Sequence, residues 1–141
     1  MTSILIETEK ACYNLAQQTL VSASLTASVY MGIDNNEKQA PAVIVQAENA
    51  ERLYKEMDIW KVKTNIIVGE LAADTDRSNI GILANTIFDA FLNVSASLNL
   101  TSATTGSFTC YDIIQPDYVN STEQDAWLQM VSFTTICCPS K

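Results

Sequence analysis

The sequence predicts an α+β fold: a mostly antiparallel sheet of about five strands with two helices packed on one face. Alternating apolar residues recur in several segments, and two longer segments repeat their apolar residues with the period of a helix. The predicted element order is α-β-β-β-α-β-β. Strands that follow one another closely form hairpins, which makes the sheet antiparallel and leaves the helices to cover one face.

The first predicted helix covers residues 3–24. Thr2 or Ser3 can cap its N-terminus, where the helix dipole also favours carboxylates. One arc of this helix is polar and is expected to face solvent; it contains Glu7, Lys10, Asn14, Gln17 and Gln18. The opposite arc has mostly small side chains, which allow a close approach to the sheet; it contains Leu5, Cys12, Leu15, Ala16, Thr19 and Ala23.

Two strands are predicted next, near residues 26–33 and 41–47. The sequence Asp-Asn-Asn-Glu at 34–37 has turn chemistry, so we predict a hairpin with a mobile tip there. Pro41 lacks an N–H group and is expected at a strand start or on an edge. Residues 50–58 are predicted to be a polar link with at most one helical turn.

A long strand over residues 59–71 and a helix over 77–93 form the most informative segment. In the strand, one face carries Trp60, Val62, Thr64, Ile66 and Val68. In the helix, a single apolar face carries Ile80, Leu83, Ala84, Ile87, Phe88, Phe91 and Leu92. The strand would be about 43 Å long at about 3.3 Å per residue.

The last third of the chain is predicted to contain a mobile, low-charge loop over 94–106 and a strand over 108–114. A connection with Pro116 over 115–125 leads to a final strand over 126–138. Both faces of that strand are apolar, with Trp127, Val131 and Phe133 on one and Leu128, Met130 and Ile136 on the other. The helices can cover one face. The other is either semi-exposed apolar surface or a subunit interface, and we favour the interface.

The composition indicates one domain over residues 1–141 that does not bind nucleic acid. Charged residues make up 17% of the chain, below the usual ~25%, which fits either a surface partly hidden in an assembly or a neutral polar monomer. The net charge of −8 repels phosphate backbones and anionic membranes. No apolar run approaches the ~20 residues of a membrane span.

The absence of histidine argues against an enzyme and against a metal cofactor. Serine and cysteine hydrolases use imidazole as their base, and most zinc and copper sites use it as a ligand. The cysteines Cys12, Cys110, Cys137 and Cys138 form no C-x-x-C pair. Without a signal peptide we expect free thiols in a reducing compartment, with adjacent Cys137 and Cys138 on opposite strand faces. We predict no cofactor.

Glu70, Asp74 and Asp76 form the one acidic cluster that could hold a magnesium or calcium ion. The calcium-loop template fails, because counting from Asp74 puts Asn79 where glycine is needed and Asn85 where glutamate is needed. Capping of the second helix by Asp74, Thr75 or Asp76 explains the cluster without a metal. We therefore predict no catalytic, cofactor-binding or metal-binding residue.

Two further candidate sites are weak. Glu48, Glu70 and Lys61 or Lys63 could contribute to a nuclease centre, but no E-x-K stands on a strand. Trp60 and Trp127 could be ligand platforms, although tryptophans on alternating strands are more often core or interface anchors.

The element order and several motifs resemble the tail terminator (tail completion) proteins of long-tailed bacteriophages. The strand Trp60-Lys-Val-Lys-Thr-Asn-Ile-Ile-Val leads to the connector Ala73-Asp-Thr-Asp-Arg77 and to the amphipathic helix over 80–92. The strand Trp127-Leu-Gln-Met-Val-Ser-Phe133 ends the pattern. The likeness covers most of the chain.

The resemblance implies a non-enzymatic virion protein that forms a ring with itself, commonly a hexamer. Such a ring caps the tail tube, stops its polymerisation and offers a surface to a neck or head-completion protein. The implied location is the virion tail, after assembly in the host cytoplasm. A head–tail connector or neck protein would look similar, and a small non-enzymatic binding or adaptor module remains an alternative.

We predict that Phe88→Asp unfolds the protein, because it places a carboxylate in the apolar face of the second helix. Thermal unfolding followed by circular dichroism would detect the loss. Melting at the wild-type temperature would mean that the predicted helix face is out of phase.

Overall fold

A computed structural model describes residues 4–32, 41–54, 56–71, 77–103, 108–123 and 126–139. The elements are α1 (Ile4–Ala23), β1 (Ser28–Met31), β2 (Ala42–Tyr54), β3 (Met57–Leu71), α2 (Arg77–Leu92), α3 (Ala96–Ser102), β4 (Phe108–Glu123) and β5 (Ala126–Pro139). The predicted α+β class is confirmed, with one helix more than the sequence predicts.

The strands form one sheet in the order β1-β2-β3-β5-β4. Three of the four strand pairs are antiparallel, and only β1 and β2 run parallel. The 15-residue strand β3 lies in the middle and pairs with β2 on one side and with β5 on the other. The predicted five-stranded, mostly antiparallel sheet is therefore confirmed.

The predicted hairpin between the first two strands is wrong, because β1 and β2 are parallel. Ser28 pairs with Ala42 and Met31 pairs with Val45. At the end of β1, Gly32 adopts φ 74°, a left-handed conformation that glycine allows at little cost. Its N–H donates to the Val45 carbonyl oxygen at 2.7 Å. The predicted tip at 34–37 lies outside the described residues.

The predicted polar link over 50–58 is also wrong, since β2 and β3 form one long hairpin in which Tyr54 pairs with Met57. Register shifts lie between Ala47 and Asn49 and between Arg52 and Tyr54. Most side chains of β2 beyond Ala47 are solvent-exposed. Without a buried face and with two irregularities, this part of the strand lacks the alternation that predicts a strand.

The predicted connection over 115–125 is wrong because residues 115–123 form the second half of β4. An irregular register and exposed side chains again remove the alternation that predicts a strand. The strand continues to Glu123, which pairs with Ala126 at the hairpin end. Its register shifts near Pro116, where Gln115 has φ 55°. Proline is tolerated at such an irregularity on an edge strand because no ladder hydrogen bond requires its missing N–H.

The predicted loop over 94–106 is wrong where α3 forms. Ala96, Leu100 and Ala103 lie on one side of this short helix and are buried. A seven-residue helix is unstable alone, so it depends on this packing. The Asn14 side chain donates from Nδ2 to the Ala103 carbonyl oxygen at 2.9 Å, which ties the end of α3 to α1.

All three helices pack on one face of the sheet, which we call the inner face. It contributes the buried residues Val43, Val45, Val62, Thr64, Ile66, Val68, Val131 and Phe133, while α2 contributes Leu83, Ala84, Ile87, Phe88 and Phe91. The rings of Phe91 and Phe133 stack with centroids 5.8 Å apart. The predicted apolar faces of the long strand and of the second helix are confirmed where side chains are described. The side chain of Ile80 is not described.

Helix α1 is rotated from its predicted orientation. Its buried residues are Glu7, Thr8, Ala11, Cys12, Leu15, Ala16 and Leu20. Glu7, predicted to be exposed, is only 8% exposed, and its Oε2 atom has no hydrogen-bond partner among the described residues. Ala23, predicted to be buried, is exposed. The small residues Thr8 and Ala11 lie on the buried face of α1. The positions of the polar residues in the sequence did not predict this orientation of the helix.

Helix side chains satisfy backbone groups at both edges of the sheet. On one side, Ala47 N–H donates to Glu9 Oε1 at 3.0 Å. On the other, Cys110 N–H donates to Thr101 Oγ1 at 2.9 Å, and the same oxygen lies 3.3 Å from the Cys110 carbonyl oxygen. Helices α1 and α3 thus form hydrogen bonds with backbone groups of the sheet in addition to packing on its inner face.

We predict that Thr101→Val lowers the free energy of unfolding by about 1–2 kcal/mol, because the buried N–H of Cys110 loses its acceptor while the side-chain volume is kept. Thr101→Ser, which retains the hydroxyl, should lose clearly less. Urea unfolding of the three proteins measures both values, and equal stability of the valine variant would contradict the edge contact.

Candidate functional site

The acidic cluster predicted from the sequence cannot be assembled from the described side chains. Asp74 and Asp76 lie outside the described residues, and the side chain of Glu70 is not described. Among the side chains that are described, no group of three or more histidine, cysteine, aspartate or glutamate residues is arranged to hold a metal ion.

The predicted nuclease residues form a surface ion pair. Lys63 Nζ lies 3.6 Å from Glu48 Oε2, and both side chains are about half exposed. Such a pair contributes about 0–1 kcal/mol to stability and provides no nucleophile. Lys61 lies two residues away on the same face of β3 and opposite Glu51 of β2.

Trp60 anchors the end of the β2–β3 hairpin. Its Nε1 donates to Asp58 Oδ1 at 2.7 Å, and the Arg52 guanidinium lies 5.0 Å from the ring centroid. Arg52 also pairs with Asp58 at 3.5 Å. Trp60 packs against the core as well, so its ring is an anchor and not an open platform. The side chain of Trp127 is not described.

The outer face of the sheet is the best candidate for a functional surface, because none of the described helices packs on it. One residue from each of four strands forms an apolar row across this face: Ile44, Ile67, Met130 and Val119. Val119 is 43% exposed and the other three are half-buried. At about 4.8 Å between strands, the row is about 14 Å long.

A polar row lies beside the apolar row and centres on Asn65, which is only 8% exposed although it is on the outer face. Asn65 Nδ2 donates to Gln46 Oε1 at 3.3 Å and to Glu48 Oε2 at 3.1 Å. Ser132 Oγ donates to Asn65 Oδ1 at 2.7 Å. These bonds join β2, β3 and β5 and hold their register.

The charges on the outer face are separated by strand. The bases Lys61 and Lys63 project from the central strand β3, whereas Asp112 and Asp117 pair in register with outer-face residues of β5 and place acids on the edge strand β4. The chain has eight lysines and arginines against sixteen acids, so two bases close together on one face stand out.

The edge formed by β4 is poorly suited to pairing with another strand. It has two register shifts, it contains Pro116, and its exposed charges are the acids Asp112 and Asp117. These are the features by which natural proteins prevent edge-to-edge association. Docking is therefore more favourable on the outer face than along this edge.

An open groove of about 660 Å³ lies on the helix side between α1, α2 and α3. Small polar side chains dominate its lining, among them Thr19, Ser22, Asn85 and Asn93. Small-molecule sites are mostly enclosed and apolar with a few convergent polar groups, which this groove does not resemble.

Cys12, Cys110, Cys137 and Cys138 form no disulfide in this structure. Burial raises the pKa of Cys110 to about 12 and that of Cys137 to about 11, and it also raises the pKa of Cys12 well above its usual value. Cys137 is buried on the inner face and Cys138 is half-buried, which confirms their predicted placement on opposite faces. These buried thiols are poor nucleophiles near neutral pH.

No protein-family model matches the chain, and no curated protein matches it. Across the ranges that the structure describes, no helix has both the length and the hydropathy needed to cross a membrane.

We predict that Asn65→Ala lowers the free energy of unfolding by about 1–2 kcal/mol, because three hydrogen bonds across the sheet are lost at a nearly buried position. Lys63→Ala, a change on the same strand and face, should remain within about 0.5 kcal/mol of wild type. Chemical unfolding compares them, and equal losses would show that the amide does not hold the strands together.

Proposed function

We propose that this protein is a structural subunit of a phage virion that resembles a tail terminator and assembles through the outer face of its sheet. The observation that supports the proposal is the apolar row of Ile44, Ile67, Met130 and Val119 on a face that the described helices leave uncovered. Contiguous exposed apolar surface of this kind is typical of protein interaction sites.

The size of the outer face supports a docking role. Four strands about 4.8 Å apart, each contributing about ten residues of about 3.3 Å, give a face of roughly 600 Å². A stable protein interface buries about 800 Å² on each partner. The outer face could therefore supply most of one interface, with the remainder from the hairpin ends.

The protected edge formed by β4 supports termination in particular. A terminator must bind the end of a tube and must not serve as a template for further subunits. Here, Thr101 bonds a backbone group of β4 and Pro116 interrupts that strand, while Glu9 accepts a hydrogen bond from the Ala47 N–H of β2. A subunit with such an edge can add to an assembly without offering a new strand edge there.

In this proposal the subunits form a ring on the end of the tail tube, and the resemblance implies a hexamer. The partners are further copies of the chain, the tail-tube protein and a neck or head-completion protein. The proposed ring acts by covering the end of the tube, so no catalytic residue is required.

A small adaptor module is the second candidate. Contacts of Asp58 with Arg52 and Trp60 link the two strands near the end of the β2–β3 hairpin, and Met57 at that end is 52% exposed. An exposed apolar residue beside this cluster suits a single discrete partner. This function predicts a monomer or dimer in place of a ring.

Native mass spectrometry of the protein, alone and after mixing with the tail-tube protein of the same phage, tests the two candidates. The terminator function predicts a ring, and it predicts that added protein stops tube growth in electron micrographs. A strict monomer that leaves tube length unchanged would refute it.

We predict that Ile67→Lys weakens self-association at least tenfold, because it places a charge in the middle of the apolar row. Lys61 and Lys63 lie on the same face of β3, so the fold should tolerate the change. Leu98→Lys is the matched control, since Leu98 is 70% exposed on the helix side. Sedimentation velocity measures association. Equal association of the Ile67 variant and wild type would place the interface elsewhere.

A further inference from the structure

Two buried cysteines lie directly opposite each other on neighbouring strands. Cys110 of β4 pairs in register with Cys137 of β5, at the end of the β4–β5 hairpin away from its turn. Cys110 is 5% exposed and Cys137 is fully buried, and both side chains point to the inner face. Neither has a role in the proposed function.

The hydrogen bonds around Cys110 show which kind of antiparallel pair this is. The N–H of Cys110 donates to Thr101 Oγ1 of α3, so it points away from β5. Cys110 and Cys137 are therefore a non-hydrogen-bonded pair, in which the Cα atoms are about 4.5 Å apart and the side chains are close. This distance lies within the range of about 4.4–6.8 Å that disulfides require.

We infer that Cys110 and Cys137 are a latent cross-strand disulfide that closes when the protein meets a two-electron thiol oxidant. The two S–H bonds break and one S–S bond forms. The oxidant accepts the two electrons and the two protons; a diazene such as diamide becomes the corresponding hydrazine. No backbone rearrangement is needed, because the register already places the two residues together.

Each of the two sulfur atoms makes weak contacts in the reduced protein. Cys110 Sγ donates to the Asp112 carbonyl oxygen at 3.5 Å. Cys137 Sγ lies 3.8 Å from Thr135 Oγ1 and 3.9 Å from Thr8 Oγ1. Rotation about the Cα–Cβ bonds exchanges these contacts for the S–S bond, at the cost of weak sulfur hydrogen bonds only.

Helix α3 controls access to the pair. It covers Cys110 through Thr101, it is seven residues long, and its N-cap residue Ser95 makes no side-chain capping bond. A short helix without this cap opens more readily than the rest of the core. Since burial raises the pKa of both thiols, the reaction should be slow at neutral pH and faster at alkaline pH, where more thiolate is present.

The remaining two cysteines provide internal controls. Cys12 of α1 is buried against the pair and is close enough for its ionisation to be coupled to that of Cys110 and Cys137. Cys138 is half-buried on the opposite face of β5. Cys12 is thus the competing partner within the chain, and Cys138 is the thiol from which a link between chains would form.

The disulfide would fasten the edge strand β4 to β5 beneath α3. It closes a loop that includes the whole hairpin turn, so it restricts the unfolded chain. One step rests on the proposed function: a virion subunit folds in a reducing cytoplasm and meets oxidising conditions only after release, so the link would form after assembly. The chemistry itself does not depend on that function.

Oxidation of the purified full chain with diamide tests the inference. We expect the intact mass to fall by two hydrogen atoms, and we expect fragmentation without reductant to join the segments containing Cys110 and Cys137. The melting temperature should rise by about 10 °C and return to its starting value after reduction. The native mass measurement that tests the proposed function is independent of this result.

Variants identify the bond. Cys138→Ser should keep the cross-link, and Cys110→Ser should abolish any link between β4 and β5. The fragment map of the wild-type protein decides the question even if Cys110→Ser does not fold. A bond from Cys12, dimers linked only through Cys138, or no oxidation within the chain at pH 9 would each overturn the inference.

Discussion

The packing of three helices against a single face of the sheet is the constraint on which the rest of this structure depends. Buried residues of α1 and α2 meet the inner face of β2, β3 and β5, where the rings of Phe91 and Phe133 stack. Apolar burial of this kind is the dominant favourable term in folding. Because all helices are used on one side, the outer face has no cover from within the described chain.

The helices also determine how the sheet ends. Glu9 and Thr101 lie on helices, yet both bond backbone groups of the sheet: Glu9 accepts from Ala47 of β2, beyond the residues that pair with β1, and Thr101 bonds Cys110 of the edge strand β4. Strand β4 adds Pro116 and two register shifts to this protection. The β4 edge is thus poorly suited to strand addition, whereas the outer face carries an apolar row that the described helices leave uncovered.

Asn65 shows how the outer face can be both exposed and well ordered. Its amide joins three strands through Gln46, Glu48 and Ser132. The adjacent apolar row depends on this register, because a shift of one residue would move its side chains to the other side of the sheet. The polar row therefore helps to keep the apolar row on the outer face.

The sequence by itself determined the α+β class, the apolar faces of β3 and α2, and the opposite placement of Cys137 and Cys138, because regular periodicity reports burial directly. Only the tertiary structure decided the parallel pairing of β1 with β2, the strand character of 115–123, the formation of α3 and the orientation of Glu7. These features depend on residues distant in the chain: α3 needs Asn14 and Cys110, and β4 needs β5. The apolar row was equally hidden, since its four residues come from four strands and meet only when the register is set.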